Sequence, residues 1–182
     1  MGVAAFAYFL AVTQRSSLGV ATLIASERFH TNAQQLAYLA VFQLVVYAAM
    51  QIPVGILLDR FGSRSMLAVG AFIMAVGQMT VAFAPNLSTA VVGRMLVGMG
   101  DSFTFISMIR MVNGWHSGAK ASKWQQYISS GGQMGQFFSA VPFWIMLENF
   151  GWSPAFAIMA AGSALAVFLI IAFTSDEAMG QE

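Results

Sequence analysis

The sequence contains very little charge. Asp, Glu, Lys and Arg make up 8% of its 182 residues, whereas an ordinary soluble domain carries about 25%. Hydrophobic residues make up 58% of the chain, and a globule of this size has too much surface for its volume to hide them from water. The shortage of charge therefore excludes a water-soluble domain and indicates that lipid is the solvent.

Other absences exclude classes of function. The chain has no cysteine, so it offers neither a disulfide nor a thiolate metal site. Its net charge is only +1 and it has no Lys/Arg-rich run, so nucleic acid is not an expected partner. The two histidines, His30 and His116, fall in predicted loops. A membrane-embedded serine protease or metal hydrolase is therefore not expected, and neither an enzyme nor a cofactor is predicted.

Six apolar stretches are present, each long enough to cross a bilayer as a helix, which takes about 20 residues. They cover residues 3–25, 36–57, 66–84, 88–109, 124–147 and 152–174. Spanning β-strands would alternate apolar and polar residues, and these stretches do not. The sequence predicts an all-α membrane bundle over residues 1–174. Residues 175–182 are expected to begin a central loop at which a longer protein has been cut.

The loops on the two sides of the predicted bundle differ in positive charge. One side holds Arg60, Arg64, Arg110, Lys120 and Lys123, and the other holds only Arg28. Positive loops stay in the cytoplasm. The N- and C-termini are therefore expected in the cytoplasm, with the bundle in the cell (inner) membrane.

The break between the second and third stretches carries a motif. It reads Gly55-Ile-Leu-Leu-Asp59-Arg60-Phe61-Gly62-Ser63-Arg64 and fits G-x-x-x-D-R-x-G-x-R at every defined position. A short reversal needs Gly62 for unusual backbone dihedrals, and Asp59 can pair with a cation. The motif resembles the signature loop of the major facilitator superfamily.

Two weaker matches support the resemblance. Gly93-Arg94-Met-Leu-Val-Gly98-Met-Gly100 is similar to a second pattern of that family. The spacing R-x-x-x-G also occurs at Arg15 and Gly19, as expected if the chain consists of two inverted three-helix repeats. Glycines here and in the fifth stretch predict close helix packing.

The resemblance implies the N-terminal half of a twelve-helix transporter, with the C-terminal half missing and the substrate held between the halves. In the family, the carboxylate of the loop motif and its basic neighbours latch the two halves together. This implies an ion pair between Asp59 and Arg110. The surroundings of Arg15 resemble the organic-anion branch, although an acidic residue often stands there in place of Gln14.

Three charged residues lie inside the predicted helices, where charge is costly and marks a functional site. Asp101 is expected to be proton-sensitive because burial disfavours a charged carboxylate. Alternatively, Asp101 and Arg94 neutralise each other, while Arg15 has no obvious acidic partner in this half. In the family the first and fourth helices line a central cavity, and the resemblance implies that the substrate is bound there by Arg15 and Arg94, with Gln14, Tyr47 and Gln51.

The expected function is secondary active transport of a small solute, driven by protons or another coupling ion, with an organic anion favoured as substrate. A non-transporting scaffold or sensor of the same fold is an alternative, but it leaves the mid-membrane Arg15 without a role. A drug/proton antiporter is a second alternative. It is disfavoured because the stretch from Gly131 to Pro142 lacks the glycine-proline pattern of that group.

Overall fold

The structure, a computed structural model, describes residues 2–174, and every regular element in that range is helical. The elements are α1 (Gly2–Val20), α2 (Thr22–Phe29), α3 (Ala33–Ala82), α4 (Leu87–Trp115), α5 (Gly118–Phe138), a π-helical segment (Ser139–Phe143), α6 (Trp144–Phe150) and α7 (Trp152–Phe173). The predicted all-α fold is confirmed. The predicted loop over residues 175–182 lies outside the described range.

These elements group into six rods. Backbone hydrogen bonds from Ala21 to Ser17 (3.1 Å) and from Ala25 to Ala21 (2.8 Å) bridge α1 and α2. Gly62 divides α3 into a first arm, residues 33–61, and a second arm, residues 63–82. The π-helical segment joins α5 to α6. Three of the described helices, α3, α4 and α7, are by themselves long and apolar enough to cross a membrane.

The polar breaks are shorter than the sequence suggested. The gap predicted between residues 57 and 66 is helical except at Gly62, whose φ of 78° and ψ of 162° are not helical. The gap predicted between residues 109 and 124 shrinks to residues 116–117, between α4 and α5. The longer helices satisfy more backbone groups internally, as a membrane environment requires.

Glycines allow the helices to approach closely. A Cβ atom added at Gly77 would lie 2.8 Å from the Gly93 carbonyl oxygen, and one added at Gly100 would lie 2.5 Å from the Gly70 carbonyl oxygen. On the other side of the bundle, a Cβ atom at Gly135 would lie 2.6 Å from the Phe9 carbonyl oxygen. The predicted close packing is thus present in α4 and α5.

The second arm of α3 and α7 are pinned together at both ends. Trp152 Nε1 donates to the Val81 carbonyl (2.9 Å) and Ser153 Oγ donates to the Ala82 carbonyl (2.7 Å). At the opposite end, Arg64 Nη2 donates to the Ile171 carbonyl (2.6 Å). The two helices therefore run antiparallel over their whole length.

Candidate functional site

Arg94 on α4 is fully buried and joins three rods. Its Nη2 donates to the Arg15 carbonyl (2.9 Å) and to Gln43 Oε1 (2.6 Å), and its Nη1 donates to the Gln14 carbonyl and Ser17 Oγ (both 3.3 Å). Its hydrogen-bond acceptors are neutral, and hydrogen bonds to carbonyls partly compensate the loss of water around the charge. Arg94 therefore holds α1, the first arm of α3 and α4 in one arrangement.

The alternative in which Arg94 and Asp101 pair directly is wrong. Asp101 instead accepts a hydrogen bond from Arg15 Nη1 at 3.2 Å and forms an ion pair with it. Arg94 and Asp101 are seven positions apart, which corresponds to about 10 Å along the α4 axis at 1.5 Å per residue. The two charges of α4 therefore lie at different depths.

The expectation that Arg15 has no acidic partner is also wrong. Arg94 bonds the backbone of Arg15, whereas the Arg15 side chain bonds Asp101, two turns further along α4. Side chains of a helix lean toward its N-terminus. Because α4 runs antiparallel to α1, with Met108 packed near Tyr8, the Arg15 side chain leans toward the C-terminal part of α4, where Asp101 lies.

The two members of the pair differ in exposure. The Asp101 side chain has no solvent exposure, whereas that of Arg15 is 32% exposed. The pair therefore joins a buried carboxylate to a cation that still reaches the solvent.

Gln14 lies on a different side of α1 from the position expected for a substrate ligand. Its Nε2 donates to the Met159 carbonyl at 3.2 Å and to Ser163 Oγ, both on α7. The side chain is fully buried in the contact between α1 and α7. Gln14 therefore contributes to helix packing, and the structure does not bring it to the cavity that Arg15 lines.

Two tyrosines surround the Arg15–Asp101 pair. Tyr47, on the first arm of α3 one helical turn before Gln51, lies within electrostatic range of Arg15 and Asp101. Tyr8, which the sequence interpretation missed, lies on α1 within the same range of both charges. The spacing could have revealed it, because Tyr8 and Arg15 are seven residues apart and share one face of α1.

A cavity of about 430 Å³ lies between α1, α2, the first arm of α3 and α4. Its polar lining is Arg15, Ser16, Thr22, Gln43 and Arg94, and small apolar residues such as Ala37 and Ala40 complete the wall. Because Arg94 is fully buried, Arg15 is the cation that this cavity offers to a solute.

The turn around Gly62 forms a separate polar region. Asp59 and Arg110 form an ion pair, as predicted, and their side chains are 67% and 41% exposed. The Arg60 guanidinium lies 5.3 Å from the centre of the Phe61 ring. Gly55 has open space where a Cβ atom would be, so nothing within residues 2–174 explains a glycine there. The role of these residues as a latch stays a prediction.

The chain belongs to the Major Facilitator Superfamily, whose sequence profile matches residues 4–181. This confirms the resemblance carried by the motif between Gly55 and Arg64.

Individual relatives are distant in sequence but similar over most of the chain. The probable sulfoacetate transporter SauU of Cupriavidus necator is 28% identical over 97% of this chain and 41% of its own length. The probable L-galactonate transporter of Escherichia coli is 29% identical over 91% of this chain and 36% of its own length. The chain thus spans about two-fifths of the curated relatives it matches.

The fold also matches a solved structure. The inward-open xylose transporter XylE of E. coli superposes with a TM-score of 0.83 at 16% identity, over 98% of this chain and 49% of XylE. The likeness establishes the fold of an N-terminal half. It says nothing about the solute.

Proposed function

We propose that the full-length protein is a proton-coupled secondary transporter of a small organic anion, and that this chain supplies its N-terminal six-helix half. The ion pair between buried Asp101 and partly exposed Arg15 carries the proposal. The printed names of two relatives, sulfoacetate and L-galactonate transporters, both refer to organic anions and support the same substrate class. In the full-length protein the remaining half would complete the cavity.

The pair suggests how solute and proton are coupled. A carboxylate or sulfonate that enters the cavity competes with Asp101 for the Arg15 guanidinium. Once Arg15 turns to the solute, Asp101 is left as a buried anion without a cation, an arrangement that costs several kcal/mol in a low-dielectric interior. Binding a proton neutralises it. Solute and proton are therefore bound together, which describes symport.

Orientation belongs to the same proposal. The exposed Arg60, Lys120 and Lys123 and the partly exposed Arg110 lie at one end of the bundle and, by the positive-inside rule, face the cytoplasm. Both ends of this half would then be cytoplasmic, in the cell (inner) membrane. A scaffold or sensor makes no use of a cation beside a cavity. A drug/proton antiporter carries cationic solutes, which the positive charge of Arg15 would repel.

The test is uptake by the full-length protein in proteoliposomes with an imposed inward proton gradient. The solutes are a panel of organic anions, neutral sugars and cationic drugs. We expect an organic anion to accumulate. Asp101→Asn should abolish gradient-driven accumulation but retain exchange of the same anion across the membrane, because the asparagine amide does not bind a proton.

Asp59→Asn is the control for removal of a carboxylate, because Asp59 pairs with Arg110 and not with Arg15. This variant should still accumulate the anion against its gradient, even though its turnover is lower. Proton-driven accumulation by the Asp101→Asn protein would contradict the coupling role. Transport of only sugars or cations would contradict the proposal that the substrate is an organic anion.

A further inference from the structure

One layer of the bundle core is polar. Its residues come from α1, the second arm of α3, α4 and α7, and each of them is at most 2% exposed. They are Gln14, Gln78, Arg94 and Ser163, and we refer to them as the polar layer. Polar side chains are buried this completely almost only when they are hydrogen-bonded. Each of their polar atoms therefore needs a partner.

Apolar clusters enclose the polar layer from both sides. About one helical turn before it, three helices meet in one cluster. That cluster consists of Ala11 on α1, Met74 on α3 and Val97 on α4. About one turn beyond the layer, the same three helices meet again in a second cluster. It includes Leu18, Val81 and Ala90. Because the order is the same on all three helices, Gln14, Gln78 and Arg94 lie at one level of the core.

Direct contacts also bring these three residues together. Arg94 Nη1 donates to the Gln14 carbonyl at 3.3 Å. The residues that precede Gln78 and Arg94 are glycines whose backbones are in contact, since a Cβ atom added at Gly77 would lie 2.8 Å from the Gly93 carbonyl oxygen. The three polar side chains therefore start from neighbouring points of the backbone.

The hydrogen bonds of the polar layer are incomplete within residues 2–174. A guanidinium has five N–H groups. Arg94 uses Nη1 and Nη2 in four hydrogen bonds, but its Nε has no partner. Gln14 donates from Nε2 to Ser163 and Met159, but its Oε1 accepts nothing. Gln78 has no partner for either atom of its amide. A buried polar group that stays unpaired is strongly destabilising.

The unpaired atoms include both donors and acceptors. Arg94 Nε and Gln78 Nε2 carry hydrogens to donate, whereas Gln14 Oε1 and Gln78 Oε1 can only accept. A monatomic anion would accept from the donors but leave both amide oxygens unpaired, and a cation would be repelled by Arg94. Water donates and accepts, and a buried water typically makes about three hydrogen bonds to such groups. Water is therefore the ligand that matches the whole set.

We propose that the polar layer is a buried hydration site, in which bound water bridges Gln78 to Arg94 and Gln14. The water supplies the acceptor that Arg94 Nε lacks, and it helps to hold an arginine in the core among neutral acceptors. It also joins the second arm of α3 to α1, α4 and α7, which the direct hydrogen bonds of Arg94 and Gln14 already connect. Arg94 lines the cavity beside Arg15, and this is the route by which water enters. The hydration site does not depend on which solute the cavity binds.

The first experiment tests whether the Gln78 amide has a partner. Gln78→Met keeps the length of the side chain but removes the amide. If water bridges the amide, the variant should raise the equilibrium constant for unfolding of the full-length protein in mixed micelles roughly three- to tenfold, the worth of one hydrogen bond. Gln34→Met, at an exposed position near the start of α3, is the matched control and should leave that constant unchanged. A Gln78→Met protein as stable as the original, or more stable, would show that the amide has no partner and overturn the proposal.

The second experiment distinguishes water from two other partners. In a crystal structure of the full-length protein that resolves ordered water, we expect density within about 2.7–3.2 Å of both the Gln78 amide and Arg94 Nε. A direct hydrogen bond between Gln78 and Gln14, with no density between them and Arg94, would overturn the proposal. Crystals grown in bromide test for an anion, because an anomalous peak at this position would identify a halide in place of water.

Discussion

Two ion pairs within residues 2–174 are made from the same chemical groups in opposite surroundings. Asp101 has no solvent exposure in its pair with Arg15, whereas Asp59 is 67% exposed in its pair with Arg110. Charges held in a low-dielectric interior are costly to leave alone, so removing one partner destabilises strongly. An exposed pair is surrounded by water and salt and contributes at most about 1 kcal/mol.

The difference bears on what each pair can do. Separation of Arg15 from Asp101 requires a replacement for each charge, such as a solute anion and a proton. Separation of Asp59 from Arg110 requires only water. We therefore propose the first pair for coupling, and the second for a contact that forms and breaks during a conformational cycle.

The glycines near the two ion pairs also differ, in how much space surrounds them. A Cβ atom at Gly98 would collide with the Gln43 carbonyl oxygen, next to the amide that binds Arg94, whereas Gly55 has open space around it. The interior region thus tolerates little change, while the turn region has room within this half.

Arg15→Ala should produce the largest loss of stability. It leaves Asp101 as a buried carboxylate without a cation, and the expected cost is about 3–5 kcal/mol. The measurement is the free energy of unfolding of the full-length protein in mixed micelles, obtained by titration with a denaturing detergent.

Asp101→Asn provides the control for that prediction. The double variant Arg15→Ala/Asp101→Asn has no unpaired charge and should be more stable than Arg15→Ala alone. If the effects of the two changes on the free energy of unfolding instead add, the pair is not coupled in the folded protein. Arg110→Ala, which removes the exposed cation, should cost at most about 1 kcal/mol.

Gly98→Ala should produce the second-largest loss of stability. The added methyl group meets backbone atoms that cannot rotate away, so the first arm of α3 must shift from α4 at a cost of about 1–3 kcal/mol. Gly55→Ala should be neutral or stabilising by up to about 1 kcal/mol, because alanine favours a helix and the space is open. Equal effects in the same unfolding measurement would show that the two regions do not differ in packing.

The fold was largely predictable because apolar runs of spanning length have few alternatives in a bilayer. The motif from Gly55 to Arg64 correctly predicted the family. The helix ends near Asp59 and Lys120 were not predictable, because such polar residues continue a helix as readily as they end it once they lie at the membrane surface. The predicted starts at residues 88 and 152, by contrast, lie within one residue of Leu87 and Trp152, where α4 and α7 begin. Between the second and third predicted stretches, Gly62 was correctly predicted as the point at which the chain reverses.

The site was predictable in its residues but not in its contacts. Arg15 and Asp101 are 86 residues apart in sequence, and nothing local indicates that they meet. Arg94 and Asp101 share α4, which made their pairing plausible, but their different depths decided against it.

Asp59→Asn should have the smallest effect on stability and a distinct effect on function. The loss of the exposed pair should change the free energy of unfolding by no more than about 1 kcal/mol, and less at high salt. If the pair forms and breaks in the transport cycle, turnover should fall more than substrate affinity does, because the variant alters a conformational step and leaves the cavity intact. Uptake rates and equilibrium binding of the same anion in the full-length protein measure the two quantities separately. An equal loss of turnover and affinity would place Asp59 in the binding machinery and remove the contrast between the two pairs.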